Sequence, residues 1–254
     1  MRCALAVLFL SVAFAPFARA DLASARADYA GGAFEDAARE GEAAGDSESL
    51  SIASRALLAQ CLLSPRAATS ETIQRAQKDA LQALVLDDKS VEARLDLALA
   101  LGLQGERASI SDAWRKRYAQ RGRRLIDEAL ALSPDQPRAL ALLGGWHLEV
   151  LRRGGGAGAL FLGARYASGI AAFDRARAAA PNDPAISLHY AVALLALDAR
   201  KNAAQARDLL AAAGAAPSTD AVSAALREEA RRLGAVLAAS GAQAAVRMIN
   251  QKFL

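Results

Sequence analysis

The densest polar group within an apolar stretch of the sequence is His147, Glu149, Arg152 and Arg153. Charged groups of this kind can hold an anion or a carboxylate. On a helix, His147 and Glu149 lie about 200° apart and face different ways. Glu149 stands at helical pair spacing from the arginines, so a structural ion pair is the plain reading. The sharper reading is an anion or carboxylate subsite, with Arg152 and Arg153 beside the glycines of 154–158. A second group is the basic run Arg115, Lys116, Arg117, Arg121, Arg123 and Arg124, interleaved with Trp114 and Tyr118. A solvated helix face accounts for such a run. The same residues could also touch anionic lipid headgroups or an acidic partner.

Other chemistries find no footing. Two histidines offer too few ligands for a metal site. The glycines of 154–158 follow a helical pattern and not a strand, and they lack the Lys and Ser/Thr that cradle a phosphate. No serine stands in a Gly-x-Ser-x-Gly context. The expectation is therefore a noncatalytic protein with no cofactor and no metal.

The positions that must hold these groups read as helices. Hydrophobic residues are 54% of the chain and aromatics 5%. The apolar content is mainly Ala, Leu and Val, and the first two favour helix. Basic side chains number 31 against 27 acidic ones, and two of the basic ones, Arg2 and Arg19, lie in 1–20. The charge is close to balanced, and no basic arm argues for nucleic acid.

Residues 1–20 have the form of a secretory signal: Arg2, an apolar run over 3–14, and Ala18-Arg19-Ala20 before Asp21. The run is too short to span a bilayer comfortably. A cleaved chain, periplasmic or secreted, is expected. It would keep one cysteine, Cys61, on an apolar helical stretch, where a free thiol behaves as a small buried hydrophobe.

Breakers predict helices over 21–30, 34–44, 49–63, 70–86, 90–104 and 111–132. They continue over 137–153, 166–180, 184–198, 201–213, 219–239 and 241–252. Three of these end alike: Ala76, Ala80, Ala83, Asp88; Gly122, Ile126, Ala129, Pro134; and Gly169, Phe173, Ala176, Pro181. Each has the spacing four, three, five. Leu97-Ala98, Leu143-Gly144 and Tyr190-Ala191 recur in the preceding helices. These residues resemble the tetratricopeptide repeat, over about 22–217. The resemblance implies an all-α fold, an α-α superhelix of about five helix pairs, in which the small residues let helices approach closely. The division expected is a signal over 1–20, a repeat array over 21–218 and capping helices over 219–254.

The stop residues stand 46 and 47 apart, against about 34 in that family. About 12 and 13 extra residues sit between helices A and B of the two central repeats, inside 99–121 and 145–168. Such insertions emerge at one edge and commonly decorate a binding face.

By the same resemblance the first helices line a concave surface: Glu92, Leu95, Leu99, Gly102 and Leu103; Arg138, Ala141, Gly145, Leu148 and Glu149; Ala185, Leu188, Val192 and Leu195. It is mostly apolar. The stretches 139–146 and 190–197 are apolar all round and must be covered. Leu160, Phe161 and Leu162, after the glycines, form an apolar plug that either folds back toward this groove, lids a site there, or packs as local core. The leading expectation is a scaffold or adaptor for protein partners in the cell envelope. The alternative is an accessory protein holding a small hydrophobic ligand or peptide in the groove, as the tetratricopeptide proteins associated with transporters would. The oligomeric state is left open.

Overall fold

The computed structural model describes residues 21–64 and 66–253, so the expected signal over 1–20 lies outside the described residues. Every regular element among them is a helix. In order they are α1 (Leu22–Gly31), α2 (Phe34–Ala44), α3 (Ser47–Leu63), α4 (Ser70–Leu86), α5 (Val91–Arg107) and α6 (Ile110–Arg115). Then come α7 (Tyr118–Leu132), α8 (Pro137–Leu162), α9 (Tyr166–Ala179), α10 (Pro184–Ala215) and α11 (Ala221–Phe253).

Local chemistry sets most of the boundaries. Asp46 accepts from the backbone N–H of Glu48 and Ser49, and Ser109 from that of Asp112, so the first amides of α3 and α6 keep partners. Thr69 caps α4 by accepting from the N–H of Thr72. Pro137 and Pro184 open α8 and α10, where their missing N–H costs nothing.

Two expected boundaries fall differently. The segment 111–132 is two helices, split where Arg117 takes φ 53. The helix expected over 137–153 runs on to Leu162 and turns sharply at Gly155, whose φ of 57 and ψ of −161 suit a residue without Cβ. Those glycines therefore belong to a bent helix. Within α10 the helix breaks at Asp198, as the expected gap between 198 and 201 requires. Asp198 then caps the next half through the N–H of Lys201, and Asn202 donates to the freed Leu194 carbonyl at 2.9 Å.

Helices α1, α3, α5, α8 and α10 touch one another in succession, and α2, α4, α7 and α9 pack on them. The largest core cluster joins α8, α9, α10 and α11. At its centre Phe173 stacks on Tyr190, with ring centroids 4.5 Å apart and planes 5° apart. Gly144 makes room for this pair, since a Cβ there would stand 2.5 Å from the Phe173 ring.

What covers the inner stretch 190–197 is α11, which packs along α10 and reaches α3 and α1, whereas 139–146 packs against α5, α7 and α9. Leu226, Met248 and Ile249 of α11 face Leu62, Leu188 and Val192 across a space of about 10 Å³. That is near the room needed for one water.

Electrostatics adds a pH-dependent element to the N-terminal core. Arg75 bridges Glu35 and Glu42, and Asp79, 2% exposed, lies beside them. Burial and then the Glu42 charge push the Asp79 carboxyl up to about 7. The folded chain thus holds a proton that the unfolded chain has lost. The associated stability is present below the ordinary value near 3.8 and disappears as pH rises toward 7. Asp79→Asn is expected to raise the unfolding midpoint at pH 8, with the gain shrinking toward pH 5. Its size should be on the order of 1–3 kcal/mol. A gain independent of pH would show that Asp79 does not carry the proton.

Candidate docking surface

The two segments read as insertions, within 99–121 and 145–168, meet through α6 and the end of α8. The first supplies the end of α5, then α6 and the start of α7. The second supplies the part of α8 beyond Gly155. Trp114 of α6 and Phe161 of α8 touch edge to face, with centroids 5.2 Å apart. Leu160 is 86% exposed and Phe161 72%, so the expected plug does not fold back onto the inner helices. The turn at Gly155 carries it toward α6. Leu162 is half-buried and packs with Val150, Ala159 and Ala164 as local core. Tyr118 is half-buried against Leu97, Leu101 and Leu125, with the Lys116 ammonium 5.8 Å from its ring centroid.

Beside this contact a cleft of about 600 Å³ lies between α7 and α8. Its walls include Gln120, Trp146, Phe161 and Leu162, and its rim carries Arg123, Arg124, Asp127 and Glu128. Trp146 is fixed from two sides. Its indole N–H donates to the Ala119 carbonyl at 2.8 Å. The Arg123 guanidinium lies 5.0 Å from its ring centroid, while Arg123 Nε donates to both Asp127 oxygens at 2.8 and 3.0 Å. A rigid aromatic floor with a mixed-charge rim suits the side chains of another protein. Neither Trp146 nor Ile110 was singled out from sequence. Trp146 stands in an apolar helix, where an aromatic reads as core.

The first polar group is used elsewhere. His147 is buried and accepts from the Arg165 N–H through Nδ1 at 3.2 Å. Burial, then Arg123, lowers its pKa, which favours the neutral ring. Glu149 and Arg152 form a two-pronged ion pair at 2.7 and 2.5 Å. Arg153 donates to the carbonyls of Gly105 and Ala108, closing the end of α5. Nearby, burial and the Glu149 charge push Glu106 up to about 7. The four residues of the expected subsite are therefore spent on internal contacts, and the structure does not bring them together with Trp114 and Phe161. Cys61 is buried, and its thiol is pushed up to about 11 by burial, which makes it inert as a nucleophile. Among the described residues no group of three or more His, Cys, Asp or Glu could hold a metal ion.

The inner face also holds a polar cluster where a mostly apolar surface was expected. Arg138 donates to Glu92 at 3.0 Å and to Asp96. Arg55 pairs with Glu92 and lies 3.6 Å from Asp96. Gln136 donates to Glu92 at 2.9 Å. Burial opposes the charge of Glu92, but Arg55 and Arg138 outweigh it and keep its pKa low. One sequence signal existed: Glu92 and Arg138 stand 46 apart, one spacing of the stop residues.

A family model described as "Regulator of microtubule dynamics protein 1-3" matches residues 26–237. This corrects the tetratricopeptide assignment drawn from the four-three-five spacing. That spacing marks close helix contacts, as at Gly169, where a Cβ would stand 3.0 Å from Leu148. Stacked helix pairs in general need such contacts, so the spacing does not single out one family. No curated protein matches the chain.

Proposed function

Because the chain belongs to the regulator of microtubule dynamics protein family, we propose that it is a noncatalytic adaptor that binds another protein. The family's description concerns a protein polymer, which supports a protein partner. The observation that carries the reading is the cleft between α7 and α8, with Trp146 fixed in its wall and Arg123 and Arg124 on its rim. The helices form an α-α superhelix in this reading, with 21–218 as the array and 219–254 closing it. The ordered contacts of α1, α3, α5, α8 and α10 support that form. The secretory-signal form of the sequence over 1–20 is the ground for proposing work in the periplasm or outside the cell, with partners in the envelope. A small hydrophobic ligand or peptide on the inner helices would require α11 to leave them.

Site-specific photocrosslinking tests the adaptor reading. A photoreactive residue at Gln120 is expected to trap a discrete protein, and one at Arg232 on α11 is not. Charge reversal at Arg124 should lower that capture about tenfold, because rim charges govern encounter. Equal capture from both positions, or capture indifferent to Arg124, would sink the reading. Co-pelleting with polymerised tubulin, motivated by the family description, shows whether the partner is that polymer.

A further inference from the structure

Beside the cleft, the tips of the two insertions form a convex prominence, and we propose that it seats the protein on an anionic lipid surface. Leu160, Phe161, Ile110 and Trp114 project there at 86%, 72%, 58% and 39% exposure. Leu160, Ile110 and Trp114 do not line the cleft. The Trp114–Phe161 contact ties one insertion to the other, so the apolar tip is ordered before it meets anything. A protein partner must supply pockets for projecting side chains. A fluid bilayer interface accepts them in any arrangement and gains from the apolar area buried.

Charge selects the kind of surface. The sequence from 113 to 126 contains six arginines and lysines and no acid, and of these Arg123 and Arg124 pair with Asp127 and Glu128 just beyond it. Arg115, Lys116 and Arg117 are exposed directly after Trp114. Arg115 also pairs with Asp112, which keeps its guanidinium beside the apolar tip. The chain as a whole is nearly neutral, at +4, so three consecutive exposed cations beside Trp114 are a local feature. Cations flanking Trp, Phe and Leu match the headgroup region, where each basic residue strengthens binding about fivefold. No described helix is long and apolar enough to cross a membrane, so the contact is interfacial.

Flotation of the full chain with vesicles tests the proposal. Binding is expected to vesicles of phosphatidylcholine and phosphatidylglycerol in equal parts, and not to phosphatidylcholine alone. High salt should weaken it. Leu160→Ser with Phe161→Ser should lower partition at least about tenfold. Arg115→Gln with Lys116→Gln should lower it about 25-fold, by two fivefold steps. All variants share residues 1–20, so differences among them report the prominence. The second pair leaves the apolar tip intact, which guards against a folding defect in the first. In a Trp146→Phe background the remaining Trp114 fluorescence should shift to the blue on anionic vesicles. Failure to float with anionic vesicles overturns the proposal. So does equal flotation with neutral ones, or partition indifferent to both pairs. Protection of the prominence by polyglutamate but not by vesicles would assign it to an acidic protein and overturn the lipid reading. The cleft and the prominence fail separately, because crosslinking at Gln120 does not depend on Leu160 or Lys116.

Discussion

Replacing Phe173 by alanine is expected to cost about 4 kcal/mol of folding stability. The ring is 1% exposed and lies at the junction of α8, α9 and α10. Removing it deletes a large buried apolar surface and leaves a cavity that helices on three sides cannot close together. Its parallel contact with Tyr190 at 4.5 Å is lost as well, a further contribution on the order of 1 kcal/mol. Chemical denaturation with the slope held in common measures the loss. A second substitution tests the cause. Gly144→Ala in the wild-type chain pushes a methyl group to 2.5 Å from the ring and should destabilise. In the Phe173→Ala background the same methyl group enters the cavity, and the penalty should vanish or reverse sign. Additive effects would mean that the two positions do not share that space.

Asp96→Ala should be nearly as damaging, for an electrostatic reason. The Asp96 side chain is fully buried and faces Arg138 and Arg55. Those arginines are 28% and 26% exposed, so each is left partly desolvated beside a single remaining acid, Glu92. Breaking a buried pair from one side leaves uncompensated charge. Because both arginines still reach some solvent, the expected loss is about 2–4 kcal/mol, at or below the range for a fully buried pair. Asp96→Ala combined with Arg138→Met removes the orphaned charge as well. It should recover part of the loss, and a double-mutant cycle should show positive coupling. A double variant no better than Asp96→Ala alone would place the cost in packing.

Much of the helical layout was legible because its causes are local. Pro137 and Pro184 open helices wherever they stand, Asp46 and Ser109 cap the amides beside them, and Asp198 breaks α10 by capping its second half. Even so, the left-handed turn at Arg117 was invisible, because a non-glycine residue holds that conformation only when its surroundings impose it. The candidate surface was half legible. Trp114, Phe161 and Leu160 stood out as large apolar residues in glycine-rich or basic surroundings, and the structure brings Trp114 and Phe161 into contact. His147 and Arg153 stood out by charge, yet their charges are answered inside the fold, by the Arg165 amide and by the α5 carbonyls. Residue type gives no warning of that, since the same arginine can cap a helix or bind a ligand.

By itself the sequence determined that this chain is helical and where most of its turns fall. Helix propensity, capping and chain breaking act over a few residues, so they can be read in order along the chain. Only the tertiary structure decided what the apolar inner stretches face and where the insertions point. The repeat-like spacing showed that helices approach closely, and it suggested the wrong family for the same reason, since close approach is common to stacked helices. That α11 returns from the end of the chain to α3 and α1, and that Gly155 turns Phe161 onto Trp114, depend on partners far away in sequence. Such partners are chosen by the shape and charge of surfaces that exist only after the helices have packed.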